Sequence, residues 1–329
     1  MKHILINNLR FRVLAIVLPI LAASCSVIYD DDLRPCRNNV KVRFVYDLNM
    51  DFRDLFSENV RSVDVWAFDC DGSLAWHGSR EGESLSGTDF FLPADVAPGK
   101  YDFVSWCGLG DNNGYELNNY LPATKEELYM MLTTTLEGNR HVSSSSLPLI
   151  FNGNLSSVMV EGASTTDIEQ EITISLVEDT KNISVSLSGP TVGSPEEFSI
   201  FITDNNRRLG YDNIPSEAVT YRHWTYGTNT HGSGVYYKIA TSRLMADSNA
   251  HLVVVDNSDN RQIIDIRLVD YLLKIKDNYS MKMDDQEFLD RENNYSLQLT
   301  LDNNGSFDFN SIIYINGWVV VPTQVENPQ

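Results

Sequence analysis

The sequence is short of basic side chains. It holds 25 lysines and arginines against 45 aspartates and glutamates, which gives a formal net charge of −20 at pH 7. A surface with this excess of negative charge repels nucleic-acid phosphates and anionic lipid headgroups. The composition therefore argues against a nucleic-acid partner.

Cysteine is also scarce, with four residues in a chain of 329. No Cys-x-x-Cys pair occurs, so the spacing supports neither a zinc knuckle nor a thioredoxin-type redox site. Cys25 belongs to an N-terminal signal, which leaves Cys36, Cys70 and Cys107. Three thiols cannot all pair within one chain, and spacing alone does not fix the pairing. We expect a disulfide between Cys36 and Cys107, with Cys70 free.

Familiar catalytic and cofactor-binding motifs are missing. The chain has no His-Glu-x-x-His, P-loop, Gly-x-Gly-x-x-Gly or Gly-x-Ser-x-Gly sequence. The segment 302–308 alternates oxygen-bearing side chains as a calcium loop does. However, an EF-hand needs glycine where Phe307 stands and an acid where Ile313 stands. We therefore predict a polar turn there, and a protein that is not an enzyme, with no catalytic residue, cofactor or metal.

One aromatic-rich stretch contains His223, Trp224 and His231. It could hold a metal or a sugar, but we interpret it as a surface loop. Trp66 and Trp106 fall inside strand-like patterns, so we expect them in the core.

The N-terminus is where basic and apolar residues are concentrated. Three basic residues precede an apolar run over 13–23, and small residues then lead into Cys25. This order is typical of a secretory signal, and the run is shorter than the about 20 residues that span a bilayer. The small residues before Cys25 resemble the bacterial lipobox, in which the cysteine is acylated. We predict a signal peptide over 1–24, a lipid (palmitate) on Cys25, and a linker over 25–38.

An acidic cluster follows the predicted lipidation site. Removal of residues 1–24 takes away three basic and no acidic side chains, so the formal charge falls from −20 to −23. Asp30–Asp32 resemble the surface-export tag of some outer-membrane lipoproteins, and a solvated linker is an equal alternative. We expect a lipid-anchored, surface-exposed protein of the outer membrane.

Apolar residues alternate with polar ones along most of the chain, for example over 40–46, 172–176, 183–187, 264–268 and 295–301. This period of two predicts strands with one buried and one solvated face, which antiparallel sheets accommodate. Turn signals at Asp71-Gly72, Pro98-Gly99 and Asn304-Gly305 separate the strands. We predict an all-β fold with two β-sandwich domains, over 39–165 and 166–329. The boundary is placed near residue 165 because residues 162–166 are small and polar.

Two short connecting helices are expected. Thr124–Glu127 reads as a capping box, with apolar residues at helical spacing behind it. Asp284–Glu287 gives a second start, with Phe288 and Leu289 behind it.

Several stretches, taken in order, resemble the FimB-type family of fimbrial anchor subunits of type V pili. They cover nearly the whole mature chain: residues 28–36, 42–50, 63–69, Asp71-Gly72, 98–101, Trp106-Cys107-Gly108-Leu109, 287–293 and 313–318. The resemblance implies two transthyretin-like sandwiches in tandem and no catalytic residues. It also implies a lipoprotein at the base of a pilus, which holds the fibre to the outer membrane. Its partners would be fimbrial shaft or accessory pilin subunits, joined by strand pairing.

Two sites for that pairing stay open: Val319, Val320 and Val321, or an edge of either sandwich. The valine run is alternatively just the last core strand, which we favour. Strand exchange in this class removes a first strand, but loss of the first strand here would also remove Cys25. We therefore expect Val40–Tyr46 to remain. The alternative functions are a surface glycan-binding lipoprotein that uses Trp224 and, less favoured, a lipoprotein hydrolase.

Overall fold

The computed structural model describes residues 38–87, 89–110, 114–162, 170–217, 219–231, 234–307 and 313–320. Within these ranges strands dominate and helices are short, which confirms the predicted all-β fold. The strands of the first half are β1 (Asn38–Val45), β2 (Ser62–Phe68), β3 (Leu74–Glu81), β4 (Leu92–Val96), β5 (Gly99–Cys107), β6 (Tyr115–Leu117), β7 (Tyr129–Leu132), β8 (Thr135–Glu137), β9 (Arg140–Ser143), β10 (Phe151–Val160), β11 (Gln170–Ser175) and β12 (Val177–Glu178).

The second half continues in the same manner. Its strands are β13 (Lys181–Ser188), β14 (Phe198–Asp204), β15 (Arg208–Gly210), β16 (Tyr221–Trp224), β17 (Gly227–His231), β18 (Gly234–Thr241), β19 (His251–Asp256), β20 (Arg261–Arg267), β21 (Asn294–Thr300), β22 (Ile313–Ile315) and β23 (Trp318–Val320). The α-helices are α1 (Phe56–Asn59), α2 (Leu268–Leu272) and α3 (Asp285–Arg291). The 3-10 helices are Glu83–Ser86, Lys125–Glu127, Pro195–Glu197 and Leu273–Asn278.

The first sandwich packs the sheet β11-β1-β4 against the sheet β12-β10-β5-β2-β3. β1 lies in the centre of its sheet, parallel to β11 and antiparallel to β4. Its alternate side chains Val40, Val42 and Phe44 are buried in the core between the sheets. The period of two seen in the sequence therefore marks the face of β1 that is removed from water.

The second sandwich packs β17-β18-β13-β21-β22-β23 against β20-β19-β14-β16-β9-β8. Ile183, Val185 and Leu187 of β13 point into its core, as their alternation predicts. α2 and α3 add further apolar side chains to that core, including Leu272 and Phe288. The short helices thus close the sandwich.

A third layer covers the outer face of the larger sheet in the first sandwich. It is the small sheet β15-β7-β6, and it encloses an apolar cluster with β2 and β5. All seven residues of β2 are buried as a result. Trp66 and Trp106 are fully buried in this cluster, which confirms that they belong to the core.

The predicted domain boundary at residue 165 needs correction. β11 and β12 lie beyond it, yet they pair with β1 and β10 of the first sandwich. Apart from β8 and β9, which extend a sheet of the second sandwich, the described strands as far as β12 pair within the first half or with β15. The chain then leaves the first sandwich between Glu178 and Lys181, after β11 has paired with β1. The halves also interlock: β9 pairs with β16, and β7 pairs with β15. Contacts join the chain from residue 38 onward into one compact unit.

The two helix predictions have different outcomes. Asp284 caps α3 as expected, because its carboxylate accepts a hydrogen bond from the Glu287 amide at 2.8 Å. The prediction at Thr124 is wrong beyond one 3-10 turn, since the following residues form β7. Leu128, Met130 and Leu132 are buried with a period of two, and pairing with β6 and β15 outweighs the helical spacing.

Gly108 allows the chain after β5 to approach the segment before β10 closely. Gly108 follows β5 with φ of +85°, and a Cβ atom there would lie 2.2 Å from the Leu149 carbonyl oxygen. Gly138, in the β8–β9 turn, also has positive φ (+62°), but its Cβ would meet nothing within 4 Å. Substitution at Gly138 would therefore add backbone strain alone, whereas substitution at Gly108 would add both strain and a clash with a neighbouring segment.

We expect Gly108→Ala to lower the free energy of unfolding by about 2 to 4 kcal/mol, since strain and overpacking add. Gly138→Ala, the control, should cost only about 1 kcal/mol. Urea unfolding followed by tryptophan fluorescence measures both. If both variants lost the same free energy of unfolding, the contact between the new Cβ at residue 108 and Leu149 would not be destabilising.

Candidate assembly site

A buried polar cluster joins the two sandwiches where the chain crosses between them. We call it the joint. Its members are Tyr46, Glu178, Asp179, Lys181, Asn213, Arg243, Asp290 and Asn293. All are buried, although five carry charges in their ordinary ionised states. Buried charges are tolerated where they are paired and hydrogen-bonded.

Asp290, on α3, is the centre of the joint. Its carboxylate accepts hydrogen bonds from Arg243 Nε at 2.8 Å and Arg243 Nη2 at 2.7 Å. Gln286 Nε2 donates a third at 3.0 Å. The two parallel bonds from the guanidinium form the bidentate geometry that gives Arg–carboxylate pairs their strength.

Tyr46 links the first sandwich to the second. Its hydroxyl donates to Glu178 Oε2 at 2.7 Å and accepts from Asn293 Nδ2 at 2.9 Å. Lys181 Nζ in turn donates to Asn293 Oδ1 and to the Asp290 carbonyl oxygen. The end of β1 is therefore hydrogen-bonded directly to the segment that follows α3.

Arg291 makes a second link from α3 to the first sandwich. Its Nη1 donates to the carbonyl oxygens of Asp47 at 2.6 Å and Asn49 at 3.2 Å. Its Nε also donates to Glu287 Oε1 at 2.9 Å. Both links converge on residues 46–49, directly after β1.

Burial controls the ionisation of the joint. It lowers the pKa of Lys181 and raises the pKa of Glu178. Burial also raises the pKa of Asp179 to about 7. Burial alone would lower the pKa of Arg243. The hydrogen bonds and the attraction to Asp290 outweigh burial, so the pKa of Arg243 is raised. Each charge in the joint depends on a partner contributed by another segment.

Two of the stretches that carry the family resemblance meet at this joint. Residues 42–50 supply Tyr46 and the carbonyl groups of 47 and 49, and residues 287–293 supply Asp290, Arg291 and Asn293. Sequence reasoning identified the stretches but assigned them no physical role.

The predicted covalent sites lie largely outside the described residues. Cys25 and Cys36 both fall there, so lipidation and the Cys36–Cys107 disulfide stay predictions. Cys107 is fully buried, its thiol lies 3.3 Å from Ser105 Oγ, and burial raises its pKa to about 12. Cys70 is exposed and has no disulfide partner among the described residues.

The predicted partner strand lies at an edge. Val319 and Val320 belong to β23, which pairs with β22 alone within the described ranges; Val321 falls outside them. The Asn316-Gly317 turn before it has φ of +48° and +82°, the values of a type I′ hairpin. Val320 is buried, whereas Val319 is 57% exposed. Within the described ranges, the segment is thus both the last core strand and a strand at the edge of its sheet.

The opposite sheet of this sandwich has a differently built edge. β20 carries Arg261, Asp265 and Arg267. Charged side chains on an edge strand discourage addition of a further strand. The exposed part of β23 has no charged side chain.

The interpretation of residues 223–231 as a surface loop is wrong for most of the stretch, because all but two of its residues belong to two strands. His223 and Trp224 lie on β16, and β17 reaches His231. His223 is fully buried, its Nε2 lies 3.0 Å from Thr241 Oγ1, and burial lowers its pKa to about 3. The Trp224 ring packs on Phe201 with centroids 4.7 Å apart. These side chains are structural.

The described ranges also bear on metal binding and on membrane insertion. They contain no group of three or more His, Cys, Asp or Glu residues arranged to bind a metal ion. Their helices are all too short or too polar to cross a bilayer.

Comparison with known proteins gives consistent results. The family model of the fimbrillin-A associated anchor proteins Mfa1 and Mfa2 matches residues 33–323. A Bacteroides thetaiotaomicron structure described as a candidate polysaccharide-binding protein is 25% identical, with a TM-score of 0.76 over 87% of this chain and 99% of its own. A candidate adhesin from the same organism is 27% identical, with a TM-score of 0.73 over 88% and 99%.

A third solved structure shares the fold at lower identity. The fimbrial anchor protein Mfa2 from Porphyromonas gingivalis is 19% identical, with a TM-score of 0.71 over 88% of this chain and 100% of its own. The search of curated proteins found no significant match.

The joint yields a stability prediction. Asp290→Asn should lower the free energy of unfolding by about 3 to 5 kcal/mol, because Arg243 is left as an unpaired buried charge. The control is Glu287→Gln on the same helix, whose partially exposed pair with Arg291 should contribute about 1 kcal/mol or less. Chemical denaturation of the purified protein measures both. Similar losses for the two variants would contradict the central role of Asp290.

Proposed function

The chain belongs to the family of fimbrillin-A associated anchor proteins Mfa1 and Mfa2, and on that premise we propose that it holds a fimbria at the bacterial surface through a lipid on Cys25. Membership confirms the predicted resemblance to fimbrial anchors and makes this a structural or adhesive protein of a cell-surface appendage. The family is not known for enzymatic activity. Beyond family membership, we propose that the lipid on Cys25 is inserted in the outer membrane and that the protein pairs strands with shaft or accessory pilin subunits.

The position of β1 is the observation that carries the proposal. A pull on the N-terminal linker reaches the folded protein through β1. Six of its residues pair with β11 and five with β4. A force along the strand therefore acts on two ladders at once, and the side chains buried beneath them resist it as well. This strand is suited to an anchored N-terminus and poorly suited to removal.

The joint extends that connection into the second sandwich. Tyr46 follows β1 and is bonded to Asn293, while Arg291 holds the carbonyl groups at 47 and 49. β23 lies in the second sandwich, where Val319 and Trp318 leave apolar surface exposed on an edge. We propose this edge as the surface that pairs with a pilin strand, because its outer main-chain groups pair with no other described strand and its apolar side chains are exposed.

Glycan binding at Trp224 is not favoured as a second function. The indole ring packs on Phe201 and lies 5.5 Å from the Arg222 guanidinium, so both neighbours restrict access to it. A hydrolase based on His223 is not favoured either, because its ring is buried in a structural hydrogen-bond network.

The lipid anchor is tested by Cys25→Ala in the producing bacterium. We expect loss of palmitate labelling, transfer of most of the protein out of the outer-membrane fraction, and fimbriae shed into the medium. Cys70→Ala, which changes an exposed free thiol, should behave as the wild type. The protein on assembled fibres should also begin at Cys25 and retain residues 38–46. Membrane retention of the Cys25 variant would refute the lipid anchor.

The edge is tested by Val319→Lys. Because this side chain is exposed, the unfolding free energy should change by about 0.5 kcal/mol or less, but added charge should reduce pilin co-purification about tenfold. The matched control, Gln262→Lys, adds the same charge at an exposed position of the edge strand β20 and should leave pilin binding unchanged. Normal pilin recovery with Val319→Lys would exclude this edge as the assembly surface.

A further inference from the structure

A polar cleft of about 550 Å³ lies in the second sandwich. It is bounded by the end of β14, by the loop after β15, and by the loop between β18 and β19. Asp204 and Asn205 come from the first of these segments, Ile214 from the second, and Asp247 and Ser248 from the third. The cleft is separate from the joint and from the β23 edge, because it shares no residue with either.

Asp204 is the unusual residue of this cleft. It is only 3% exposed, and its Oδ1 accepts a hydrogen bond from the Asn205 amide at 2.8 Å. Its Oδ2 is buried and has no hydrogen-bond partner among the described residues, and the same is true of Ser248 Oγ. Among the described residues that line the cleft there is no lysine or arginine, and the imidazole of His251 is hydrogen-bonded to Asp265. Buried polar atoms are nearly always paired, so two such atoms beside one cleft require an explanation.

The rest of the lining indicates what would pair with them. Asn205, Asp247 and Asn249 offer further hydrogen-bonding groups, whereas Ile214, Pro215 and Met245 form an apolar flank. Ile214 is half exposed. A ligand that fits needs several hydroxyl donors on one side and a C–H surface on the other, which is the chemistry of a sugar ring. Anionic ligands would be repelled by the two aspartates.

A divalent cation fits the same residues less well. Calcium takes about six to eight oxygen ligands at about 2.3 to 2.6 Å. The cleft is many times the volume of an ion, and one side of it is apolar. The described residues also provide no cluster of three or more acidic or imidazole groups there.

We propose that this cleft binds a neutral saccharide, with sugar hydroxyl groups hydrogen-bonded to Asp204 and Ser248 and the ring packed on Ile214. The site is independent of the fimbrial role. It would give an appendage protein a second activity, the recognition of neutral glycans at the cell surface.

Binding is tested on the intact mature protein by saturation-transfer NMR and titration calorimetry. The probes are glucose, galactose, mannose, N-acetylglucosamine and N-acetylgalactosamine, together with β-linked oligomers of glucose and of N-acetylglucosamine. We expect at least one probe to bind, and Asp204→Asn to weaken it at least tenfold, because Asn cannot accept at both side-chain atoms. Asp247→Ala, which changes an exposed residue, should weaken the same probe without affecting folding. The control, Asp259→Asn, alters an exposed aspartate outside the cleft and should bind as the wild type.

Three results would overturn the proposal. The first is the absence of binding to every probe. The second is binding that survives both Asp204→Asn and Asp247→Ala in variants whose melting temperatures match the wild type. The third is binding of calcium chloride alone that Asp204→Asn abolishes, which would assign the cleft to a cation.

Discussion

The hydrogen-bonded pair of Asp290 and Arg243 is the interaction on which the arrangement of the two sandwiches depends. Both side chains are taken out of water, and the attraction between them has to compensate for that loss. The partners come from different segments, so the compensation exists only when α3 is seated beside the end of β18. Tyr46 and Arg291 then bond across to the first sandwich. Separation of the sandwiches would break the hydrogen bonds that Tyr46 and Arg291 make between them. The loss of these bonds favours one rigid body over two mobile domains.

Rigidity matters for a protein proposed to transmit force. A chain held by a lipid at one end and by a fibre at the other is pulled along its length. On the proposed function, β1 would receive the pull in the centre of a sheet, and the joint would pass it on within a few residues, from Tyr46 to the α3 region. The proposed exit, β23, is bound to β22 and so to β21, which lies directly behind α3 in sequence. The path from β1 to β23 therefore runs through paired strands and the joint, with no long unsupported loop between them.

The sequence predicted the strands well where one face is buried and the other solvated, as in β1, β13 and β21. It did not predict β2 as fully buried, because β7 and β6 cover its outer face from a distant part of the chain. The boundary at 165 failed for a related reason: parallel pairing of β11 with β1 joins residues more than a hundred positions apart, which local patterns do not record. The helical spacing after Thr124 was overridden by sheet pairing in the same way.

The joint was beyond prediction for a different reason. In a chain with 45 acidic residues, Asp290 and Glu178 resemble any surface carboxylate, and only the fold brings Arg243 and Lys181 to them. Asp204 is the instructive contrast, since it is also buried, but no lysine or arginine is among the described residues that line its cleft. Burial raises the pKa of Asp204 to about 6, whereas Asp290 is held by a guanidinium. Basic side chains are few, and two of them, Arg243 and Lys181, lie in the joint. A buried carboxylate without a lysine or arginine needs a different kind of donor, and for Asp204 the donor that we propose is a sugar hydroxyl group.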